Sequence, residues 1–79
     1  MPRYFFDVRE TGNLAVDDEG IELLDIEAAR QAAARCLLDM ARDRLLGDPF
    51  RHNMAIEVSD VVGPVLQAKF TIAVDQPVR

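Results

Sequence analysis

Residues 25–49, DIEAARQAAARCLLDMARDRLLGDP, decide the fold because they read as one long helix. Asp25 is a favourable N-cap residue, since its carboxylate can accept the unpaired amide hydrogens of the first helical turn. The following stretch contains no Gly or Pro and is rich in strong helix formers. Gly47 and Pro49 then provide a C-terminal cap and a stop. The sequence therefore predicts a helix over residues 26–46.

The apolar residues of this helix divide between two faces. At about 100° per residue, one face contains the positions expected to pack on a sheet, which are Ile26, Ala29, Ala33, Cys36, Leu37 and Met40. A buried Cys36 is consistent with this, because free cysteine is among the most buried residue types. A second group consists of Ala34, Leu38, Ala41 and Leu45. Its two leucines, Leu38 and Leu45, lie roughly opposite the sheet-facing residues. They are candidates for contact with a second copy in a weak homodimer or with another protein.

Alternating apolar and polar residues flank the helix on both sides, as is typical of half-buried strands. The predicted strands cover residues 3–9, 14–16, 53–60 and 65–75. The first two are joined by the turn sequence Glu10-Thr11-Gly12-Asn13. Residues 21–24 fit either an extension of a strand or a loop.

These elements predict an α+β fold of order ββαββ, in which one long helix packs on a four-stranded, mainly antiparallel sheet. The helix and the longest strand both span roughly 30 Å, so that one helix can cover one sheet. The strand order stays open, because the two hairpins can join with either edge inward. We expect a single domain over residues 1–79, with a frayed tail at residues 76–79.

The distribution of charge limits the kinds of partner. The chain has 9 Lys and Arg against 14 Asp and Glu, which gives a formal net charge of −5. Positions 10–27 hold seven carboxylates and no Lys or Arg, whereas nucleic-acid binding requires concentrated positive charge. No apolar stretch approaches the ~20 residues of a membrane span. We therefore expect neither nucleic acid nor a membrane as a partner, and a cytoplasmic location with a reduced thiol.

Asp17, Asp18, Glu19 and Glu22 form the densest part of this acidic stretch. Clustered carboxylates suit hard cations, but the segment lacks the alternating ligand positions of a calcium loop. One Cys and one His also fall short of the four ligands of a structural zinc site. We predict no metal and no cofactor, and interpret the four residues as a solvated turn or as an acidic face for a protein partner.

Few residues are candidates for catalysis. Cys36 lies in the middle of the helix, away from the positive end of its dipole that would activate a thiol. His52 is predicted to lie in the loop between the helix and the next strand, where a lone imidazole is usually a solvated surface group. Ser59 is not in a nucleophile elbow, and the four glycines form no phosphate-binding loop. The sequence thus predicts no catalytic residues, and we expect that the protein is not an enzyme.

Three stretches of the chain resemble a known family. They are MPRYFFDVR at residues 1–9, DDEGIELLD at residues 17–25 and EAARQAA at residues 27–33. The chain looks like a member of a family of short bacterial proteins, common in rhizobia and related soil bacteria, that is classed as a domain of unknown function. The resemblance covers essentially the whole chain and implies a compact bacterial domain. It transfers no activity and no site residues.

Two functions follow as hypotheses. The first is a non-enzymatic interaction or regulatory module of the cytoplasm, with an unidentified protein as partner. The alternative is an antitoxin-like acidic domain that neutralises a basic partner. This second hypothesis rests on a looser resemblance to the antitoxin partners of small RNA-cleaving toxins, in which Leu24-Asp25 stands where those proteins have Pro-Asp.

Overall fold

The computed structural model describes residues 1–47, 51–75 and 77. Its elements follow in the order β1 (Arg3–Glu10), β2 (Asn13–Ala15), β3 (Ile21–Glu22), α1 (Ile26–Gly47), β4 (Arg51–Ser59) and β5 (Pro64–Ala73). The predicted α+β class, with one helix on a mainly antiparallel sheet, is confirmed. The predicted helix stop at Pro49 and, apart from Pro77, the predicted tail at residues 76–79 lie outside the described residues.

The sheet has the strand order β2-β1-β4-β5, and all of its neighbouring strands are antiparallel. The order that the sequence left open is therefore one in which β1 and β4 form the centre. A fifth strand joins the four predicted ones, because Ile21 and Glu22 pair with Tyr4 and Arg3 at the beginning of β1. β2 and β3 thus lie along the same edge of β1, one after the other.

Two turns connect the hairpins. Thr11 and Gly12 both have positive φ angles, 47° and 82°, in the turn between β1 and β2. Between β4 and β5, the carboxylate of Asp60 accepts hydrogen bonds from the amides of Val62 and Gly63 at 2.8 and 3.1 Å. Asp60 therefore closes the second turn with its own side chain, as aspartate commonly does.

The helix begins as predicted. The carboxylate of Asp25 accepts the amide hydrogen of Ala28 at 2.9 Å, which satisfies one donor of the first turn. The buried residues of α1 are Ala29, Ala33, Leu37 and Ala41, spaced four apart along one row. Small side chains in this row let the helix approach β4 and β5 closely, since Ala29 and Ala33 have no exposed surface.

Part of the predicted helix face is wrong. Cys36 is exposed rather than buried, and Ile26 retains half of its surface in contact with solvent. Conversely, Ala41, which was grouped with Leu38 and Leu45 outside the predicted sheet-facing residues, lies in the core. The buried row follows the four-residue spacing from Ala29 to Ala41, and Cys36 lies about 100° from Leu37, the member of this row at its own level of the helix.

The core forms between α1 and one face of the sheet. Met54, Ile56 and Val58 point inward from β4, as the alternation in the sequence predicts, and Tyr4 joins them from β1. Leu66, Ala68 and Phe70 of β5 pack at the margin of this cluster and remain half-buried. Because α1 is the single helix of the described chain and covers one face, the other face of the sheet is open.

Candidate interaction surface

Asp17 is the best-connected residue of the predicted acidic site. Its carboxylate accepts the amide hydrogen of Phe6 at 3.0 Å, that of Gly20 at 3.0 Å and that of Glu19 at 3.1 Å. Its own amide donates to the carboxylate of Asp7 at 2.9 Å. The hydrogen bonds from Gly20 and Phe6 are the main reasons why the pKa of Asp17 lies below its usual value.

These bonds give Asp17 a structural role. β2 pairs with the last three residues of β1, and β3 pairs with the first two, so that the amide of Phe6 falls in the gap between them. The side chain of Asp17 fills that gap and takes the place of a strand carbonyl. A carboxylate whose acceptor sites are used in this way has little left for a partner.

The other three acidic candidates differ in their surroundings. Glu22 forms an ion pair with Arg3 at 3.3 Å, and Arg3 also donates to the backbone carbonyl of Glu19 at 2.8 Å. The side chains of Asp18 and Glu19 are exposed. Among the described residues, no group of three or more His, Cys, Asp or Glu side chains is arranged to hold a metal ion. The exposed part of the acidic segment is thus centred on Asp18 and Glu19.

An apolar groove lies where α1 meets β5. It has a volume of about 440 Å³, and its lining consists of Leu38, Ala41, Arg42, Leu45, Leu46 and Phe70. Leu38 is 62% exposed and Leu46 is 82% exposed, whereas Leu45 is half-buried. We call these six residues the leucine groove.

The two predicted docking leucines are therefore brought together, but not where the helical wheel placed them. They were expected opposite the sheet, and the structure places them on the flank of α1, beside β5. The reason is that the helix lies over β4 and β5 and is rotated so that Ala41 enters the core. Leu46 and Phe70 were not predicted to belong to this surface. The inward position of Phe70 in the strand alternation was the signal that could have found it.

β5 borders this groove with a free edge. It is ten residues long and pairs with β4 on one side, and its other edge meets no strand of the described chain. Lys69 is its single charged residue, and Pro64 is confined to its first position. Exposed edges are usually shortened, broken or charged, because their unpaired amides and carbonyls attract other strands. The opposite edge of the sheet follows that rule, with β2 of three residues and β3 of two.

A family model described as Domain of unknown function (DUF6894) matches residues 3–71. The chain belongs to this family. The match includes β1 through most of β5, and therefore both the Asp17 loop and the leucine groove. Comparisons of this DUF6894 domain with curated proteins and with solved structures found no match. Within residues 1–47, 51–75 and 77, the helix lacks the combination of length and apolar character needed to cross a membrane.

The open face of the sheet carries paired polar groups. The guanidinium of Arg9 donates to the carboxylate of Glu57 at 2.9 Å, and the side-chain amide of Gln67 donates to the same oxygen at 3.3 Å. Lys69 and Thr71 line the same shallow depression, whose volume is about 620 Å³. The hydrogen bond from Arg9 is the main cause that lowers the pKa of Glu57. Arg9, Glu57 and Gln67 thus connect β1, β4 and β5 by hydrogen bonds on the open face.

Cys36 and His52, the residues considered for catalysis, lie apart from the open face of the sheet. The thiol of Cys36 is exposed, and its sulfur lies 3.9 Å from that of Met40 one helical turn away. The prediction that His52 lies in a loop is wrong. His52 belongs to β4, where it pairs with Ile72 and is half-buried. The strand begins earlier than the alternation suggested, because Arg51 and His52 still find partners at the end of the long β5.

Proposed function

We propose that this DUF6894 domain is a non-enzymatic interaction module that binds an extended segment of a protein partner along β5. The single observation that carries the proposal is the position of the leucine groove directly beside the free edge of that strand. An added strand would gain main-chain hydrogen bonds from the edge, and every second side chain would reach the groove or its surroundings.

The exposed leucines support this use of the edge. Leu38 and Leu46 keep most of their surface in water although Leu37 and Ala41 of the same helix are buried. Scattered apolar residues are common on monomers, but these two line one concave surface together with Phe70. A partner that covers them would remove apolar area from water, which is the main source of favourable binding energy.

The distribution of charged residues also supports β5 as the edge that binds a partner. The chain carries a net charge of −5, yet β5 contains no carboxylate and the leucine groove contains one cation, Arg42. Charged groups are depleted from the centres of protein interfaces, because each must lose its hydration when it is buried. β5 is the long edge of the sheet on which an apolar segment can dock without removing a carboxylate from water.

The use of the ionisable groups supports a role other than catalysis. The pKa values of Glu10, Asp17 and Glu57 are all lowered by hydrogen bonds to Arg44, to backbone amides and to Arg9, respectively. A general acid or base that works near neutral pH needs a shift in the opposite direction. These carboxylates therefore behave as structural anions.

The antitoxin-like alternative has the weaker support. It requires an acidic surface that can face a basic partner, and the bonds of Asp17 and the ion pair of Glu22 leave Asp18 and Glu19 as its exposed members. The cytoplasm of a bacterium remains our proposed location. It rests on the resemblance of the opening residues and on the exposed thiol of Cys36, which stays reduced in such a compartment.

Three tagged forms of the protein test the proposal in a native lysate. They are the wild type, Leu38→Glu, and the control Cys36→Glu, which adds the same charge to an exposed helix position about 160° away. We expect proteins that the wild type and the control retain and that Leu38→Glu loses, because the new carboxylate would be desolvated in the apolar contact. Equal retention by all three forms would contradict the proposal.

A further inference from the structure

We infer that the partner of the β5 edge is a second copy of this chain, whose β5 pairs antiparallel with the first about a twofold axis at Ala68. This inference rests on the proposed function, because it names the occupant of the same edge. The pairing would join the two sheets into one, with both α1 helices on the same face.

The sequence of β5 is nearly palindromic in side-chain type about Ala68. Residues 65–71 read VLQAKFT. Reversed onto itself at Ala68, the centre of this segment places like with like: the large apolar pair is Leu66 and Phe70, and the long polar pair is Gln67 and Lys69. Side chains that face each other in antiparallel strands interact, so these matched apolar and polar pairs favour this register.

The two faces of the joined sheet also agree. Leu66, Ala68 and Phe70 lie on the helix side, while Gln67 and Lys69 line the depression on the open side. Residues directly opposite each other in antiparallel strands point to the same face. A twofold axis perpendicular to the sheet at Ala68 therefore sets apolar against apolar on the helix side and polar against polar on the open side.

Neighbouring registers fit less well. An axis at Lys69 would place the ammonium groups of the two copies directly opposite each other, and like charges in that position are unfavourable. An axis at Phe70 would place Gln67 opposite Ala73 and Ala68 opposite Ile72, so that polar and small residues lose matched partners. The axis at Ala68 brings the smallest side chain of the segment to the point where the two copies approach most closely.

The leucine groove gains a specific occupant in this arrangement. Leu66 of the second copy comes to lie beside Phe70, which is part of the groove lining. The twofold axis repeats this contact, so each copy supplies one leucine to the groove of the other. Leu38, exposed on the same flank of α1, then faces the second helix.

The contact surface of this arrangement is small. Residues 65–71 and the groove are fewer than the roughly 20–30 residues per side of a standard interface. We therefore expect association at micromolar rather than nanomolar concentrations. The absence of carboxylates from β5 keeps the mutual repulsion of two chains of charge −5 away from the contact.

Sedimentation equilibrium at low salt tests the register through Gln67. Gln67→Lys would place one new cation of each copy opposite Lys69 of the other, and we expect the dimer to weaken roughly tenfold because two like-charge pairs form at once. Gln67→Glu would create two ion pairs at the same places, and we expect tighter dimers. The double variant Gln67→Lys/Lys69→Gln exchanges the two side chains, and we expect it to restore the affinity of the wild type.

The same variants separate association from folding. Within one copy Gln67 donates to Glu57, so Gln67→Lys introduces an attraction to that carboxylate and Gln67→Glu a repulsion. The effects on stability of the single chain are thus opposite in sign to those on the dimer, and thermal unfolding of dilute protein measures them.

A wild type that stays monomeric at high micromolar concentration would overturn the inference. A dimer whose affinity is the same in both single variants would overturn the register. Neither result changes the outcome expected when Leu38→Glu and Cys36→Glu are compared in the native lysate. Failure of the second copy as occupant and failure of the edge as an interaction site are therefore distinguishable.

Discussion

The carboxylate of Asp17 accepts the amide hydrogen of Phe6 at 3.0 Å, in the gap between the two short strands that pair with β1. One side chain thereby continues the hydrogen bonding of a sheet edge that β2 and β3 leave incomplete. Within the acidic run, Asp17 thus has a structural role, whereas its neighbours Asp18 and Glu19 are exposed to solvent. Asp17 also covers part of this edge, whereas the outer edge of β5 is ten residues long and meets no other strand among the described residues.

Replacing Asp17 with Ala should destabilise the fold by about 1 to 3 kcal/mol. The substitution leaves the amides of Phe6, Glu19 and Gly20 without their acceptor, and hydrogen bonds to a charged group are the stronger class. Urea unfolding followed by circular dichroism measures the change. Asp18→Ala, at the exposed neighbouring position, is the control and should stay within about 0.5 kcal/mol of the wild type. Equal losses in both variants would show that the Asp17 bonds do not hold the loop.

Gly20→Ala should cost more than Gly12→Ala, although both glycines have positive φ angles, 71° and 82°. A Cβ at Gly20 would lie 2.9 Å from the carbonyl oxygen of Tyr4 and 2.9 Å from a ring atom of Phe5, whereas one at Gly12 would meet no atom within 4 Å. Left-handed backbone costs an alanine about 1 to 2 kcal/mol at either site, and the clash adds to it at Gly20. Thermal unfolding of the two variants gives the difference. Equal melting temperatures would mean that the loop moves away from β1 without cost.

The sequence predicts those features of the fold that depend on neighbouring residues. Asp25 marks the beginning of α1 because an N-cap acts within one turn, and its bond to Ala28 is present. The inward positions of Met54 and Ile56 follow from strict alternation along one strand. The position of β1 beside β4 could not be predicted in this way, because it depends on residues about 50 positions apart along the chain.

The rotation of α1 and the role of Asp17 required the folded structure. Alanines surround the helix on several sides, so its apolar residues indicate no single face, and the close approach to the sheet selects Ala41 rather than Cys36. Asp17 resembles its acidic neighbours in sequence. Its function arises from a gap between β2 and β3 that exists only after the sheet has formed.

Ala33→Leu should destabilise the protein by about 1 to 3 kcal/mol, because Ala33 has no exposed surface and lies against the sheet. Ala34→Leu is the matched control. It adds the same side chain at an exposed position of the next residue and should change stability by less than about 0.5 kcal/mol. Differential scanning calorimetry provides both values. A larger loss for Ala34→Leu would mean that the helix is rotated relative to the sheet.

Arg44→Gln should raise the pKa of Glu10 and reduce the dependence of stability on pH. Two guanidinium nitrogens of Arg44 donate to the two carboxylate oxygens of Glu10 at 2.6 and 3.0 Å, and this joins the end of α1 to the end of β1. The hydrogen bonding from Arg44 is the main reason why the pKa of Glu10 lies below its ordinary value of 4.5, and His52 adds a smaller electrostatic effect in the same direction. Because the pKa is lower in the folded than in the unfolded chain, the contribution to stability is complete above 4.5 and disappears as the pH falls through the folded-state value. The wild type should therefore exceed Arg44→Gln in stability most at neutral pH, and the two should converge in acid.

Carbon NMR of the Glu10 carboxyl group gives the pKa, and urea unfolding across the same pH range gives the stability. A difference in stability that stays constant into strong acid would show that Arg44 acts through the packing of its alkyl chain rather than through its bond to Glu10.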